Sequence, residues 1–309
     1  MRALLIVNPR ATSTTPLRRD VIARALASAV DLAVQETRYP GHATQLAGTA
    51  GGTGHDLVLT LGGDGTVNEV VNGIIRAGHG AARQPALAAL PGGSANVFTR
   101  ALGLPTDPVD AAGQIIGALS AGHARSIGLG LAGDRYFTSN AGLGLDAEVV
   151  RAVEGVRAQG RPATPVLYTW MTLRQFYRAT DRRHPALSLD RDGQPRLGPL
   201  FLCIVSNSAP WTYLGRRAVQ TSPQASFDTG LDVFALRSLR TVGTLRAVRQ
   251  MLAGGERPPR GRHVVSLHDE AGLTVRADRP VAFQVDGEYV GERECVTFRS
   301  VPHALRVIV

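Results

Sequence analysis

Three runs of small and polar residues in the first hundred positions are suited to holding phosphate. Leu61-Gly62-Gly63-Asp64-Gly65-Thr66 follows the apolar run DLVLTL and opens a helical stretch. Glycine lets the backbone turn sharply and approach a ligand, and a helix start offers unpaired N–H groups and a positive dipole end. Asp64 cannot bind phosphate directly, so it needs a metal, a donor or a hydroxyl to deprotonate. Pro91-Gly92-Gly93-Ser94-Ala95-Asn96 repeats the arrangement after PALAAL. Asn8-Pro9 ends the first apolar run and leads into Ala11-Thr12-Ser13-Thr14-Thr15. Far downstream stands Val285-Asp286-Gly287-Glu288. On an extended strand these two carboxylates share a face, so one can orient or bind metal while the other accepts a proton. Asp-Gly is also a hairpin-turn pair.

The elements that must position these runs alternate. ALLIVN, LAVQETR, DLVLTL and PALAAL read as strands. Pro16 to Val30, His42 to Ala50, Thr66 to Ala77, Ser94 to Leu102 and Asp107 to Ala121 read as helices. That alternation predicts a parallel α/β sheet covered on both faces, with ligands beyond the carboxyl ends of its strands. After about Gly122 many short strands with turn signals predict a β-rich, sandwich-like second domain. Helices at about Ala147–Ala158, Pro165–Thr180 and Thr241–Ala253 interrupt it. The expected domains are 1–122 and 123–300, with 301–309 packing back onto the first. Gly254–Gly261 and Asp190–Gly198 are the expected flexible stretches.

Composition narrows the chemistry. The 34 basic residues are all arginine, against 25 acidic ones, and the net charge is +9. With no lysine there is no Walker A lysine, no Schiff base and no protein-kinase strand lysine. Any phosphate site therefore rests on arginine, backbone N–H groups, hydroxyls or metal. The positive balance suits a phosphate-bearing or anionic membrane partner. The arginines are spread without a recognised motif or aromatic interleaving, so no nucleic-acid partner is expected. Cys203 and Cys295 lie in apolar runs and read as buried, reduced thiols. No apolar run reaches membrane-spanning length. The opening residues look like a buried strand rather than a signal peptide, which points to the cytoplasm.

The set NPR, GHAT (Gly41–Thr44), LGGDGTVNEVVNG and PGGSANVFTR resembles the catalytic domain of the diacylglycerol kinase family, which includes bacterial lipid kinases and sphingosine kinases. SNAGLGLDAEV, ASFDTGLDVFAL and FQVDGEYV extend the likeness over nearly the whole chain. The resemblance implies an NAD-kinase/phosphofructokinase-like α/β domain followed by a β sandwich. It also implies transfer of the γ-phosphoryl of ATP, with Mg²⁺, to a hydroxyl of a diacylglycerol-like or long-chain-base lipid at a membrane surface. By that likeness Thr44, Gly62, Gly63, Asp64, Gly65, Thr66, Gly92, Gly93 and Ser94 bind the nucleotide, and Asn8 and Asn96 shape the site. Asp286 and Glu288 face the γ-phosphate as the catalytic pair, unranked, with Asp64 a third candidate base.

The chain departs from that pattern in three places. Arg10-Ala11-Thr12 stands where the family carries a small Ser/Gly pair and a nearby lysine, so Arg10, Arg18, Arg19 or Arg100 must supply the cation. Val97 replaces a common aspartate. Thr229 replaces the aspartate before the glycine of FDTG, leaving Asp228, Asp232 and Asp64 as candidate metal ligands. Arg174, Arg178, Arg182 and Arg183, and Arg246 and Arg249 among Leu245, Val248, Met251 and Leu252, can dock on anionic headgroups with Trp211 and Tyr213 at the interface, or form an ordinary solvated face. Two alternatives stay open: a soluble-substrate kinase of the NAD kinase type, and a degenerate relative that binds nucleotide or membrane without catalysis. A homodimer is compatible with all three.

Overall fold

The computed structural model describes residues 1–78, 80, 84–157 and 181–309. Two compact units emerge: Met1–Leu129 with Pro302–Val309, and Gly130–Val301.

The first unit runs β1 (Arg2–Val7), α1 (Pro16–Ala27), β2 (Asp31–Glu36), α2 (His42–Ala50), β3 (Leu57–Gly62), α3 (Asp64–Arg76), β4 (Ala86–Pro91), α4 (Val97–Ala101) and α5 (Pro108–Ala121). Its strands lie in the order β2-β1-β3-β4 and all pair in parallel. Val307 adds a final parallel partner at Leu87 of β4. β3 and β4 are buried at every position, as a sheet covered on both faces requires. Ile22 and Leu26 of α1 and Ala111 and Ile115 of α5 pack with Leu5, Leu59 and Leu90 of the strands. α1 and α5 begin on side-chain caps, Thr15 and Asp107, each followed by proline at the first helical position. α2 and α3 meet at Gly73, where a Cβ would collide with the Thr44 carbonyl and lie 2.9 Å from the Ala47 side chain. β1 sits between β2 and β3, so the winding reverses there and the loops at the carboxyl ends of β1, β3 and β4 are the expected ligand site.

β5 (Arg125–Ala132) leads into the second unit: β6 (Arg135–Phe137), β7 (Asn140–Gly144), α6 (Leu145–Arg157), β8 (Leu187–Arg191), β9 (Gln194–Leu200), β10 (Leu202–Ser206), β11 (Thr212–Leu214), β12 (Arg217–Val219), β13 (Leu231–Leu236), α7 (Thr241–Leu252), β14 (Val264–Glu270), β15 (Gly272–Val285) and β16 (Glu288–Val307). Strands β14-β13-β10-β7-β15 pair antiparallel. β15 pairs with β16 on one side; on the other it pairs with β8 over Thr274–Ala277 and with β7 over Phe283–Val285. The register break between Arg276 and Val281 lets this one strand serve both layers of the sandwich. Phe298 meets Phe137 and Phe283 edge-on, with centroids 6.3 and 6.4 Å apart, in the core between the layers.

Several local expectations are corrected. The helix expected from Ser94 begins only at Val97, because Asn96 takes a left-handed conformation (φ 50°) stabilised by its own side chain. Residues 190–198 form the β8–β9 hairpin rather than a flexible loop. Cys295 is exposed on β16, whereas Cys203 is buried. Burial, and secondarily the nearby Asp146, pushes the Cys203 thiol up to about 12. The helix expected over 165–180, with Arg174 and Arg178, lies outside the described residues. No helix among the described residues is long and apolar enough to cross a membrane.

Candidate functional site

In the first unit the three loops are stitched to one another. Gly92 N–H donates to Gly62 O at 2.7 Å, and Ser13 N–H donates to Gly92 O at 2.8 Å. Asn8 N–H donates to Leu61 O, and its Nδ2 donates to Thr66 Oγ1 at 3.0 Å. The glycine pairs lie backbone against backbone: a Cβ on Gly93 would stand 2.7 Å from Gly63 Cα, and one on Gly92 2.8 Å from Gly62 N. Any larger residue at 92 or 93 therefore pushes the second loop off the first. Ser94, just beyond, is exposed at the rim.

The helix starts around these loops are treated unequally. Glu69 closes the start of α2: its carboxylate accepts from Gly41 N–H at 2.8 Å and Ala43 N–H at 3.0 Å. Thr44 Oγ1 donates to Glu69 O. Asp64 Oδ1 accepts from Phe98 N–H at 3.0 Å, in the first turn of α4. Both acidic residues sit on α3, and α3 itself has no side-chain cap. Its first backbone bond runs from Val67 N–H to Gly63 O, so the preceding amides lie outside the helical ladder beside the glycine loops. Glu69 was not singled out in the sequence; E at that spacing looks like any solvated helix position, and only the fold brings it back to Gly41.

The arginines proposed for the cationic role separate by their partners. Arg19 bonds Asp20 and Glu36, which hold its guanidinium above its ordinary value, Asp20 first. Arg18 reaches Ser13 O at 3.4 Å and stands 4.0 Å from Asp107. Arg100 is half-buried on α4. Arg10, just past β1, is exposed, and among the described residues its backbone N–H donates to Asn8 Oδ1 while its guanidinium has no partner. Arg10→Ala is expected to raise the KM for ATP about tenfold, the scale of one charge-assisted contact, while Arg19→Ala leaves it within twofold. Steady-state kinetics at varied ATP checks both.

In the second unit the Asp-Gly-Glu run is a two-residue turn, with Val285 paired to Glu288 and positive φ at Asp286 (47°) and Gly287 (78°). The expectation of two carboxylates on one strand face is thereby corrected: the turn sends them different ways. Asp286 is buried and accepts four hydrogen bonds, from Thr138 N–H (2.8 Å), Thr138 Oγ1 (2.9 Å), Ser139 N–H (2.8 Å) and Asn140 N–H (3.1 Å). It anchors the β6–β7 connection to the hairpin. Glu288 is partly exposed and its Oε2 pairs with Arg135 at 2.6 Å. Arg135 carried no sequence signal, since β6 is three residues long and the pairing spans 153 positions. Asp286→Ala strands those donors in the interior and is expected to cost about 3–5 kcal/mol of stability, readable by thermal denaturation.

The candidate metal ligands do not assemble. Among the described residues no group of three or more His, Cys, Asp or Glu side chains is placed to hold an ion. Asp232 is buried and accepts from His268 Nδ1 at 2.7 Å and Asp269 N–H at 3.1 Å. Burial pushes its carboxyl up, opposed by those bonds. Asp228 is exposed in the preceding turn, and Asp269 Oδ1 instead caps Gly230 N–H at 2.6 Å. Of the arginines considered for membrane docking, Arg182 is tied to Leu239 O and Thr241 Oγ1. Trp211 packs partly into the apolar cluster under α7.

Comparison with known proteins agrees with this division. Residues 2–130 match the diacylglycerol kinase catalytic domain, and residues 139–309 match the YegS C-terminal NAD kinase beta sandwich-like domain. The chain is 29% identical over 289 residues to a probable lipid kinase YegS-like protein of Chromohalobacter salexigens, covering 92% of this chain and 86% of the relative. It is 27% identical over 302 residues to the diacylglycerol kinase of Bacillus subtilis, covering 94% and 90%. A diacylglycerol kinase crystal structure from Bacillus anthracis superposes with a TM-score of 0.71 at 21% identity, covering 99% of this chain and 96% of that one. Taken with the ordered loops and the hairpin, these matches show that the chain belongs to the diacylglycerol kinase family, in the form whose catalytic domain is followed by a YegS-type sandwich.

Proposed function

We propose that the protein is an ATP-dependent lipid kinase that phosphorylates a hydroxyl of a diacylglycerol-like or long-chain-base lipid, working peripherally at a membrane surface in the cytoplasm. One observation carries the reading. Among the described residues the N-cap of α3, Gly63, makes no side-chain cap bond, while Asp64 and Glu69 of the same helix accept from backbone amides at the starts of its neighbours. Such a start, beside backbone too close for any Cβ, suits the phosphates of a nucleotide.

The geometry supports the following roles. Glycines 62, 63, 92 and 93 let the phosphates approach the backbone; Asn8 and Asn96 hold the loops in register, and Thr66 and Ser94 offer hydroxyls. Magnesium belongs with the substrate as Mg-ATP, sharing phosphate oxygens and water rather than needing a cage of protein carboxylates. Glu288 is the general base. Its Oε1 carries no hydrogen bond among the described residues, whereas Asp286 has four donors on its carboxylate and Asp64 supports α4. In the transfer, the lipid oxygen forms a bond to the γ-phosphorus as its proton passes to Glu288, and the bond to the β–γ bridging oxygen breaks to release ADP. Arg135 holds the carboxylate in place through its Oε2.

Labelled ATP supplied with a panel of diacylglycerols, long-chain bases and NAD tests the proposal. Transfer to a lipid is expected. Transfer to NAD alone favours a soluble-substrate kinase, and transfer to nothing, with vesicle co-sedimentation retained, favours a non-catalytic binder.

A further inference from the structure

The hairpin that carries Glu288 is held from below by a buried amide and a buried acid. Gln284, one of the last residues of β15, is buried. Its Oε1 accepts from Gly287 N–H at 2.9 Å, inside the turn, and its Nε2 donates to Asp146 Oδ2 at 2.8 Å and Asn140 Oδ1 at 3.0 Å. Asn140 in turn donates Nδ2 to Trp211 O and N–H to Asp286. Both acceptors therefore sit on one end of the Gln284 amide and the turn's N–H on the other, which dictates its orientation. Gly142 lies directly across from Gln284, and a Cβ there would strike the Asp146 carboxylate and come within 3.1 Å of Gln284 Nε2. The strand is thus pared to glycine to admit this acid.

Asp146 belongs to the first turn of α6, and that helix grips the hairpin again further along. Glu154 accepts from Tyr289 N–H at 3.1 Å, and Arg151 pairs with Glu292 at 3.1 Å while lying over the Tyr289 ring. We infer that Asp146 is a positioning residue for phosphoryl transfer, acting through Gln284 to set the Asp286-Gly287 turn and hence the aim of Glu288. This rests on the reading of Glu288 as base. An acceptor-only carboxylate allows one orientation of Gln284. A protonated or amide side chain at 146 can donate as well, so the amide can reverse and turn its N–H₂ toward Gly287 N–H, donor against donor.

The acid is kept at a cost. Burial pushes the Asp146 carboxyl up to about 6, opposed by the Gln284 bond. Between pH 4 and 6 the folded protein holds a proton that the unfolded chain releases, so this group's contribution to stability falls as pH rises through that window. Cys203 of β10 lies near Asp146 with its thiol neutral over this range, and Asp286 joins the same network through Asn140. A residue kept only for stability should not be an acid here.

Asp146→Asn and Gln284→Met, assayed beside Glu288→Gln in the full chain, separate the possibilities. At pH 8, Asp146→Asn is expected to melt at or above the wild-type temperature yet lose about tenfold in kcat, and Gln284→Met about a hundredfold, the scale of a small misplacement of a reacting group. KM for ATP should stay within twofold in both. Wild-type kcat is expected to fall as pH drops through about 6, and that fall should shift or vanish in Asp146→Asn. Wild-type kcat and an unchanged pH profile in either variant overturn the inference, even if Glu288→Gln is inactive. A drop in kcat matched by an equal drop in melting temperature for Asp146→Asn also overturns it, leaving only a structural role. An active Glu288→Gln removes the base assignment instead.

Discussion

Glu288→Gln is expected to lower kcat for lipid phosphorylation on the order of 10²- to 10⁴-fold, the range for removal of a positioned base, and to leave ATP affinity within twofold. The amide keeps the size of the side chain and can still accept from Arg135, so the hairpin holds its place. What is lost is the capacity to take the hydroxyl proton. Measuring single-turnover transfer together with nucleotide binding on the same preparation separates the two effects. Near-normal turnover in Glu288→Gln would return the role to Asp64 or Asp286, whose carboxylates the structure commits to Phe98 N–H and to the 138–140 segment.

Gly93→Ala is expected to weaken ATP binding at least about tenfold and to cost about 1–3 kcal/mol of stability, as overpacking does. The new methyl would sit 2.7 Å from Gly63 Cα and 3.1 Å from Asn96 Oδ1, and the nearer obstruction is backbone, which no side-chain movement relieves. Gly113→Ala in α5 is the matching control: it is exposed, nothing lies within 4 Å of its Cβ, and it should gain about 0.5–1 kcal/mol. Isothermal titration with ATP and melting curves on both variants decide the case. A Gly93→Ala protein that binds ATP normally would show that the two glycine loops can part without loss.

Much of the first unit was legible because its signals are local. DLVLTL and PALAAL are continuous apolar runs, and the glycine pairs follow them directly. Asp107-Pro108 and Thr15-Pro16 mark helix starts by residue type alone. What stayed hidden depends on pairs distant in the chain. Glu69 returning to Gly41, Asp64 reaching across to Phe98, and Arg135 meeting Glu288 are visible only once the strands are in place. The Asp-Gly-Glu run carried two readings in the sequence, a shared strand face and an Asp-Gly turn. An extended strand and a two-residue turn share the same letters, and the register of β15 against β16 selects the turn. Asp146 was hidden for a similar reason: SNAGLGLDAEV shows an acid at a helix start, where acids are common, and nothing in the letters says that it is buried against Gln284.

The last strand also sets an order of events. Ile308 N–H bonds Leu87 O, and Val307 pairs with Leu87, so residues 302–309 complete the sheet that began at Arg2. During synthesis that sheet must wait, one strand short, while the whole intervening sandwich leaves the ribosome. The first unit therefore reaches its finished form only after the unit that follows it in the chain has been made. Cutting the chain at 301 should leave a first unit with β4 open at the edge, a template for aggregation rather than a free-standing domain.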